Sequence, residues 1–280
     1  MASGLSAAIL QAAAAAVALG TADFAGGLAA RGRPAIQVAA IVQAIELVCL
    51  IGVLLVVRPV LPPTLVPLLG ALAGLAGAFG LTALYRGLAV GPMGVVAGIS
   101  AVGAVTIPIV FSAALGRSFP TPLQLVGVAC AVAATLTASA LPGSDIRRSS
   151  VAYAILAAAG FGAYILLIKA AANWGFWVLL SSRIAAVLVL GAIVVVRHRE
   201  AVRQAGFSLL LLAGVFDLGG NALGVMALVS LPVGLVAAVT GTYPVATAVL
   251  AWVALHQRPR LGGYASIGLA VVGIVLIGQR

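Results

Sequence analysis

Long apolar runs separated by short clusters of Arg, Pro and Gly dominate the chain and recur from end to end. Bounded by those clusters, they predict helices near residues 5–28, 36–57, 65–88, 93–115, 122–140, 151–171, 174–196, 207–229, 233–255 and 264–279. A helix needs ~20 apolar residues to cross ~30 Å of hydrocarbon, and most of these runs reach that length. The connections are short, so consecutive helices are expected to pack as antiparallel neighbours. The one hydrophilic linker of any length, Leu141-Pro-Gly-Ser-Asp-Ile-Arg-Arg-Ser-Ser150, falls at the midpoint of the 280 residues. The pattern predicts an all-α integral membrane protein of ten transmembrane helices.

Composition agrees. The chain is 64% hydrophobic and 7% charged, against ~45–50% and ~25% in soluble domains, so the bilayer is its solvent. A formal charge of +10 raises nucleic acid as a partner. The basic residues come in ones to threes between apolar runs, however, and build no aromatic-interleaved patch. They read instead as orientation charges. Ten arginines fall on one side of the predicted spans (Arg31, Arg33, Arg86, Arg147, Arg148, Arg197, Arg199, Arg203, Arg258 and Arg260) and four basic residues on the other (Arg58, Arg117, Lys169 and Arg280). The positive-inside rule then puts both termini outside the cytoplasm. Cys49 and Cys130 lie in apolar runs without CxxC spacing, so both read as small packing residues; no metal site and no cofactor is expected. The first apolar run is too long for a cleavable leader, lacks a basic start, and reads as the first span.

Sliding the chain against itself by 140 residues lays Gly91-Pro-Met-Gly-Val-Val-Ala97 on Leu231-Pro-Val-Gly-Leu-Val-Ala237, with Pro92, Gly94, Val96 and Ala97 meeting identical residues. The same register pairs Gly20 with Gly160, Phe24 with Tyr164, Gly74 with Gly214, Gly80 with Gly220 and Ser100 with Thr240. One gapless offset that also keeps helix boundaries predicts two homologous units, 1–141 and 151–280, joined by a linker at 142–150. Each unit holds five spans, an odd number, so the second enters the membrane in the opposite sense. This is a 5+5 inverted repeat, the arrangement that gives alternating access in many secondary transporters. Spans three and eight carry Gly70, Gly74, Gly77 and Gly80, and Gly214, Gly219, Gly220 and Gly224. Such small residues let backbones approach closely in lipid.

The segment from Ala83-Leu-Tyr-Arg-Gly-Leu-Ala-Val-Gly-Pro-Met-Gly-Val-Val-Ala-Gly98 through Leu115-Gly-Arg117 to Gly127, and the segment from Ala227 to Gly273, resemble the EamA-type members of the drug/metabolite transporter superfamily. Gly20-Thr-Ala-Asp-Phe24 and Gly160-Phe-Gly-Ala-Tyr-Ile-Leu-Leu-Ile-Lys169 are similar to that family's opening pattern of Gly, an aromatic residue and Lys. The resemblance implies a ten-helix carrier with a cavity between its halves, exporting amino acids or other metabolites or carrying sugars. It also implies cytoplasmic termini, against the charge count. Leu19 and Arg117 stand where family members often have Trp and Glu. The aromatic cavity residues of aromatic amino acid exporters are not evident.

Four ionisable residues sit well inside predicted spans: Asp23, Glu46, Arg183 and Asp217. Each costs roughly 2.5 to 3.5 kcal/mol at a helix centre, which implies function or mutual pairing. The repeat offset places Arg183 opposite Gln43. An Arg fork matches a carboxylate, while Asp217, Glu46 or Asp23 can take an ammonium or a proton. The plainer alternative is an ion pair of Arg183 with Asp217 or Glu46 that holds helices together. Asn221 follows Asp217 by four residues and Glu46 follows Gln43 by three, so each pair shares a helix face. Pro108 and Pro244 are expected to interrupt their helices. Thr240, Gly241, Thr242 and Tyr243 before the second offer a hydroxyl-rich turn to a substrate. Tyr85, Tyr164 and Tyr243 are cavity candidates, the first two also interfacial anchors. The expected binding set is thus Arg183, Gln43, Glu46, Asp217, Asn221, Asp23, Tyr243 and Thr240.

These residues argue against other classes. An intramembrane enzyme built on Asp23 and Asp217 lacks partners, since His198 and His256 fall in loops, so no catalysis is expected. A receptor or scaffold needs large loops, and a channel fits midplane charges less well than alternating access does. The expectation is a carrier, with a small molecule, the lipid bilayer and protons as partners, sited in a bacterial-type inner membrane. Two fused halves allow it to work as a monomer.

Overall fold

A computed structural model of the chain describes residues 2–114, 121–123, 125–127, 129–130, 133, 147–197, 206–230, 239–256 and 261–278. Most of the predicted span at 122–140, most of the linker, the second copy of the repeated motif at 231–237, and Arg117, Arg199, Arg203, Arg258, Arg260 and Arg280 lie outside the described residues.

Among the described residues the chain is helical, with the elements α1 (Ala2–Gly32), α2 (Ala35–Val57), α3 (Leu65–Val90), α4 (Met93–Ala114), α5 (Arg148–Ala170), a short 3-10 turn (Ala172–Trp174), α6 (Gly175–Arg197), α7 (Phe207–Ser230), α8 (Tyr243–Leu255) and α9 (Leu261–Gly278). Six are long and apolar enough to cross a membrane, over Ile9–Gly32, Ala35–Val57, Leu65–Val90, Arg148–Ala170, Gly175–Arg197 and Phe207–Gly224, with shorter apolar helices at Met93–Ile107 and Tyr243–Leu255. Proline sets several starts, because the first turn of a helix needs no backbone donor. The Pro34 carbonyl accepts from Gln37 and Val38, and the Pro92 carbonyl from Val95 and Val96. Two helices end on a non-glycine residue in the left-handed region: Arg58 (φ 46) closes α2 and His256 (φ 54) closes α8. A 2.6 Å hydrogen bond from Trp177 Nε1 to the Val60 carbonyl ties the α2–α3 connection to the start of α6.

Polarity runs opposite to that of a soluble protein. Leu10, Val48 and Leu188 are 69%, 68% and 67% exposed, while Glu46, Arg183 and Asp23 are buried. In hydrocarbon every backbone group must bond within its own helix, so the fold can turn aliphatic side chains to lipid and keep the few polar ones inside. α1 packs chiefly on α7, and α3 on α5 and α6; α4 lies on α5, α2 on α6 and α7, and α8 on α1 and α4. Glycine permits the closest crossings. A Cβ on Gly160 would lie 2.6 Å from the Gly80 Cα, and one on Gly74 would overlap the Ser182 carbonyl.

Five expectations change. The first helix is longer than 5–28 and holds Arg31 in its last turn. The predicted helix at 233–255 is not continuous, because the chain turns at Gly241-Thr242 and α8 starts at Tyr243. Pro244 therefore sits in the first turn of a helix, not at a kink, while α4 runs through Pro108 unbroken. Tyr85 is no interfacial anchor: it is fully buried, with its ring on Gly26, where any side chain would collide with it. Gly219 and Gly224 do not mediate close crossings, since a Cβ on either meets nothing within 4 Å.

Candidate functional site

At mid-depth in the bundle the helices leave a cavity of about 190 Å³, lined by Leu19 and Asp23 of α1, Gln43 of α2, Gly77, Leu81 and Leu84 of α3, Ala104 of α4, Phe161, Tyr164 and Ile165 of α5, Arg183 of α6, Asp217 and Asn221 of α7, and Tyr243 of α8. Eight helices thus contribute, and the 140-residue offset of the sequence relates several of the contributors.

Arg183 is the cationic member of the lining among the described residues. Its Nε lies 2.6 Å from Oε2 of Glu46, and its Cζ lies 5.9 Å from the centre of the Tyr164 ring, within the ~6 Å range of cation–π attraction. Glu46 is itself 0% exposed and is not part of the lining. The ion pair weighed from the sequence is therefore formed, with Glu46 as the partner.

Across from this pair the cavity meets acceptors. Asp23 is 7% exposed and Gln43 3%, and among the described residues Oδ2 of the first and Oε1 of the second have no hydrogen-bond partner. An unpaired buried acceptor is unfavourable in a medium of low dielectric, so two of them turned to one cavity mark a place built for a donor. Asn221 donates from Nδ2 to the Asp217 backbone carbonyl at 2.9 Å, which fixes its amide beside the Asp217 carboxylate one turn away. Asp217 stands close to Asp23, Glu46 and Arg183.

Of the residues singled out from the sequence, Arg183, Gln43, Asp217, Asn221, Asp23 and Tyr243 line the cavity, and Glu46 and Thr240 do not. Glu46 is fully buried against Arg183. Thr240 precedes the break before α8, which presents Tyr243 instead. That placement is braced from α1: the Thr247 hydroxyl donates to the Gly20 carbonyl at 3.1 Å, and a Cβ on Gly20 would sit 2.5 Å from the Tyr243 carbonyl. Tyr164 faces the cavity and is no anchor at a membrane surface. Phe161, Leu81, Leu84 and Leu19 form the apolar walls and were not singled out as binding residues, because an apolar residue inside an apolar span carries no signal of which way it points. Phe161 and Tyr164 stand three apart, so helical spacing was the one available hint. Among the described residues no three His, Cys, Asp or Glu side chains gather as a metal site.

A helical bundle with lipid-facing aliphatic surfaces and a charged midplane cavity defines a multi-pass membrane protein. Residues 148–279, just under half of the chain, match the EamA-like transporter family. No curated protein sequence matches the chain significantly. Twelve chains of solved structures do match. One, a crystal structure, is 18% identical, with a TM-score of 0.68 over 96% of each chain, a likeness of fold alone.

Proposed function

We propose that the protein is a secondary transporter that moves a small zwitterion or carboxylate, such as an amino acid, across the inner membrane by alternating access. The observation that carries this reading is the placement of the Arg183 guanidinium at the wall of a cavity whose other walls present the Asp23 and Asp217 carboxylates. A zwitterion offers an anion to the first and a cation to the second. A cavity of about 190 Å³ is also smaller than the ~300–1,000 Å³ of pockets that take drug-sized ligands, which favours a metabolite.

Alternating access rests on the two five-span units, 1–141 and 151–280. Helix packing supports them. The offset of 140 residues carries Gly74 to Gly214 and Val42 to Ser182, and the two resulting contacts both occur: Gly74 meets the Ser182 carbonyl, and a Cβ on Gly214 would come 3.2 Å from the Val42 carbonyl. The first crossing is tighter than its counterpart. Such a difference between related contacts is what one of two exchanging conformations presents.

A second reading, a permease for organic cations, is favoured by the excess of carboxylates over the single guanidinium around the site. Proteoliposome flux separates the two. For the zwitterion reading, saturable uptake of a labelled amino acid is expected, with Arg183→Ala lowering it at least tenfold, with and without a pH gradient. Uptake that organic cations compete for and that survives Arg183→Ala would establish the second reading in its place.

A further inference from the structure

Glu46 already holds the Nε side of Arg183 at 2.6 Å, so a substrate carboxylate that takes that side of the guanidinium must displace it. Resting on the zwitterion reading above, we propose that Glu46 is a built-in competitor of the substrate for Arg183, so that each substrate carboxylate bound brings one proton onto Glu46. Glu46 is then a positioning residue that never touches the substrate and sets the coupling ratio.

The argument is one of charge balance. Glu46 is fully buried, lies outside the cavity lining, and meets Arg183 through its Oε2. As long as it faces Arg183, the pair is neutral and the bundle interior tolerates it. When a substrate carboxylate takes the guanidinium, an ionised Glu46 would be left uncompensated in a low-dielectric interior, which is strongly unfavourable. Among the described residues, Arg183 is the one cation that acts on Glu46. The ionisable groups packed around α2 are Asp23 from α1, Tyr85 from α3, Arg183 from α6 and Asp217 from α7, with Tyr164 from α5 lying against Arg183. Every one of these except Arg183 is neutral or anionic. The remaining way to balance the site is a proton from water on a Glu46 oxygen. The Arg183–Glu46 contact opens, the substrate carboxylate closes on Arg183, and an O–H bond forms on Glu46. On the opposite side of the membrane the steps reverse, and substrate and proton leave together. The coupling is symport, in contrast with a carrier in which a cationic substrate displaces a proton from a carboxylate.

Proton counting on the intact chain tests this. The purified full-length protein in detergent is placed in weakly buffered solution with a pH indicator near neutral pH, and each of the twenty amino acids is added in turn, followed by the amide of any that binds. About one proton is expected to be taken up per amino acid bound, and none with the amide, which lacks the competing carboxylate. The apparent Kd is expected to rise about tenfold per pH unit through the linked range. In Glu46→Gln, binding is expected to persist without proton uptake and without that slope. Proton release, binding with no exchange in the unaltered protein, or uptake that survives Glu46→Gln would each overturn the proposal while leaving the zwitterion reading intact. Failure of all twenty amino acids to bind would overturn both. Because the count is read on the unaltered chain, a poorly folding variant does not remove the test.

Discussion

Four ionisable side chains near the middle of apolar helices are the residues that depart most from what lipid tolerates, and three of the four line one cavity while Glu46 stands outside its lining, against Arg183. Their presence was legible in the sequence because each interrupts an apolar run. Their partnership was not. Arg183 stood at equal standing between Asp217 and Glu46, and only the packing of α2 on α6 brings Glu46 within 2.6 Å. A stability prediction follows from the burial of both ends. Arg183→Ala leaves Glu46 charged and unpaired, and is expected to destabilise the protein by about 3–5 kcal/mol. Replacing both partners, as Arg183→Met with Glu46→Leu, is expected to recover most of that loss, since an apolar pair of similar volume needs no compensation. Thermal melting in detergent checks both variants; a double variant no more stable than Arg183→Ala would show that the pair does not carry the effect.

At the scale of elements, hydrophobic patterning placed the helices well where both neighbours are apolar runs of full length. It failed at the turn before α8. There, Thr240 to Thr242 and the valines around them read as continuous with the run that follows, and only the fold shows Tyr243 and Pro244 opening a new helix. Glycine patterns were ambiguous for a related reason. All eight glycines of the two stripes look equivalent by spacing, yet Gly74 meets a backbone carbonyl of α6 and Gly219 meets open space. Gly74→Ala is therefore expected to destabilise by about 3 kcal/mol or more, at or beyond the top of the ~1–3 kcal/mol for overpacking, because the clash is with backbone that cannot rotate away. Gly219→Ala is expected to fall within about 0.5 kcal/mol of the unaltered protein. Chemical denaturation in mixed micelles reads the contrast, and equal effects at the two positions would refute this account of the crossing.

For the whole molecule, orientation is the property on which the residues and the family disagree. If successive spans alternate in direction as the sequence predicts, the arginines at the end of α1, near the end of α3, at the start of α5 and at the end of α6 share one side, and their excess predicts termini outside the cytoplasm. A fusion of a reporter active only in the cytoplasm to the C-terminus is expected to stay silent. Activity would instead establish the orientation implied by the family resemblance.

The sequence by itself determined the class of protein, because apolar length and the scarcity of charge leave a transmembrane helix as the only way to satisfy the backbone. It also carries one offset of 140 residues that pairs glycines and prolines, and it marked Asp23, Glu46, Arg183 and Asp217 as the residues lipid would not hold. The tertiary structure decided which of these meet. Periodicity fixes the face of a helix on which a side chain lies but not the neighbour that face will find, so the Arg183–Glu46 pair, the aromatic wall of Phe161 and Tyr164, the burial of Tyr85 on Gly26 and the presentation of Tyr243 all had to wait for the helices to be packed.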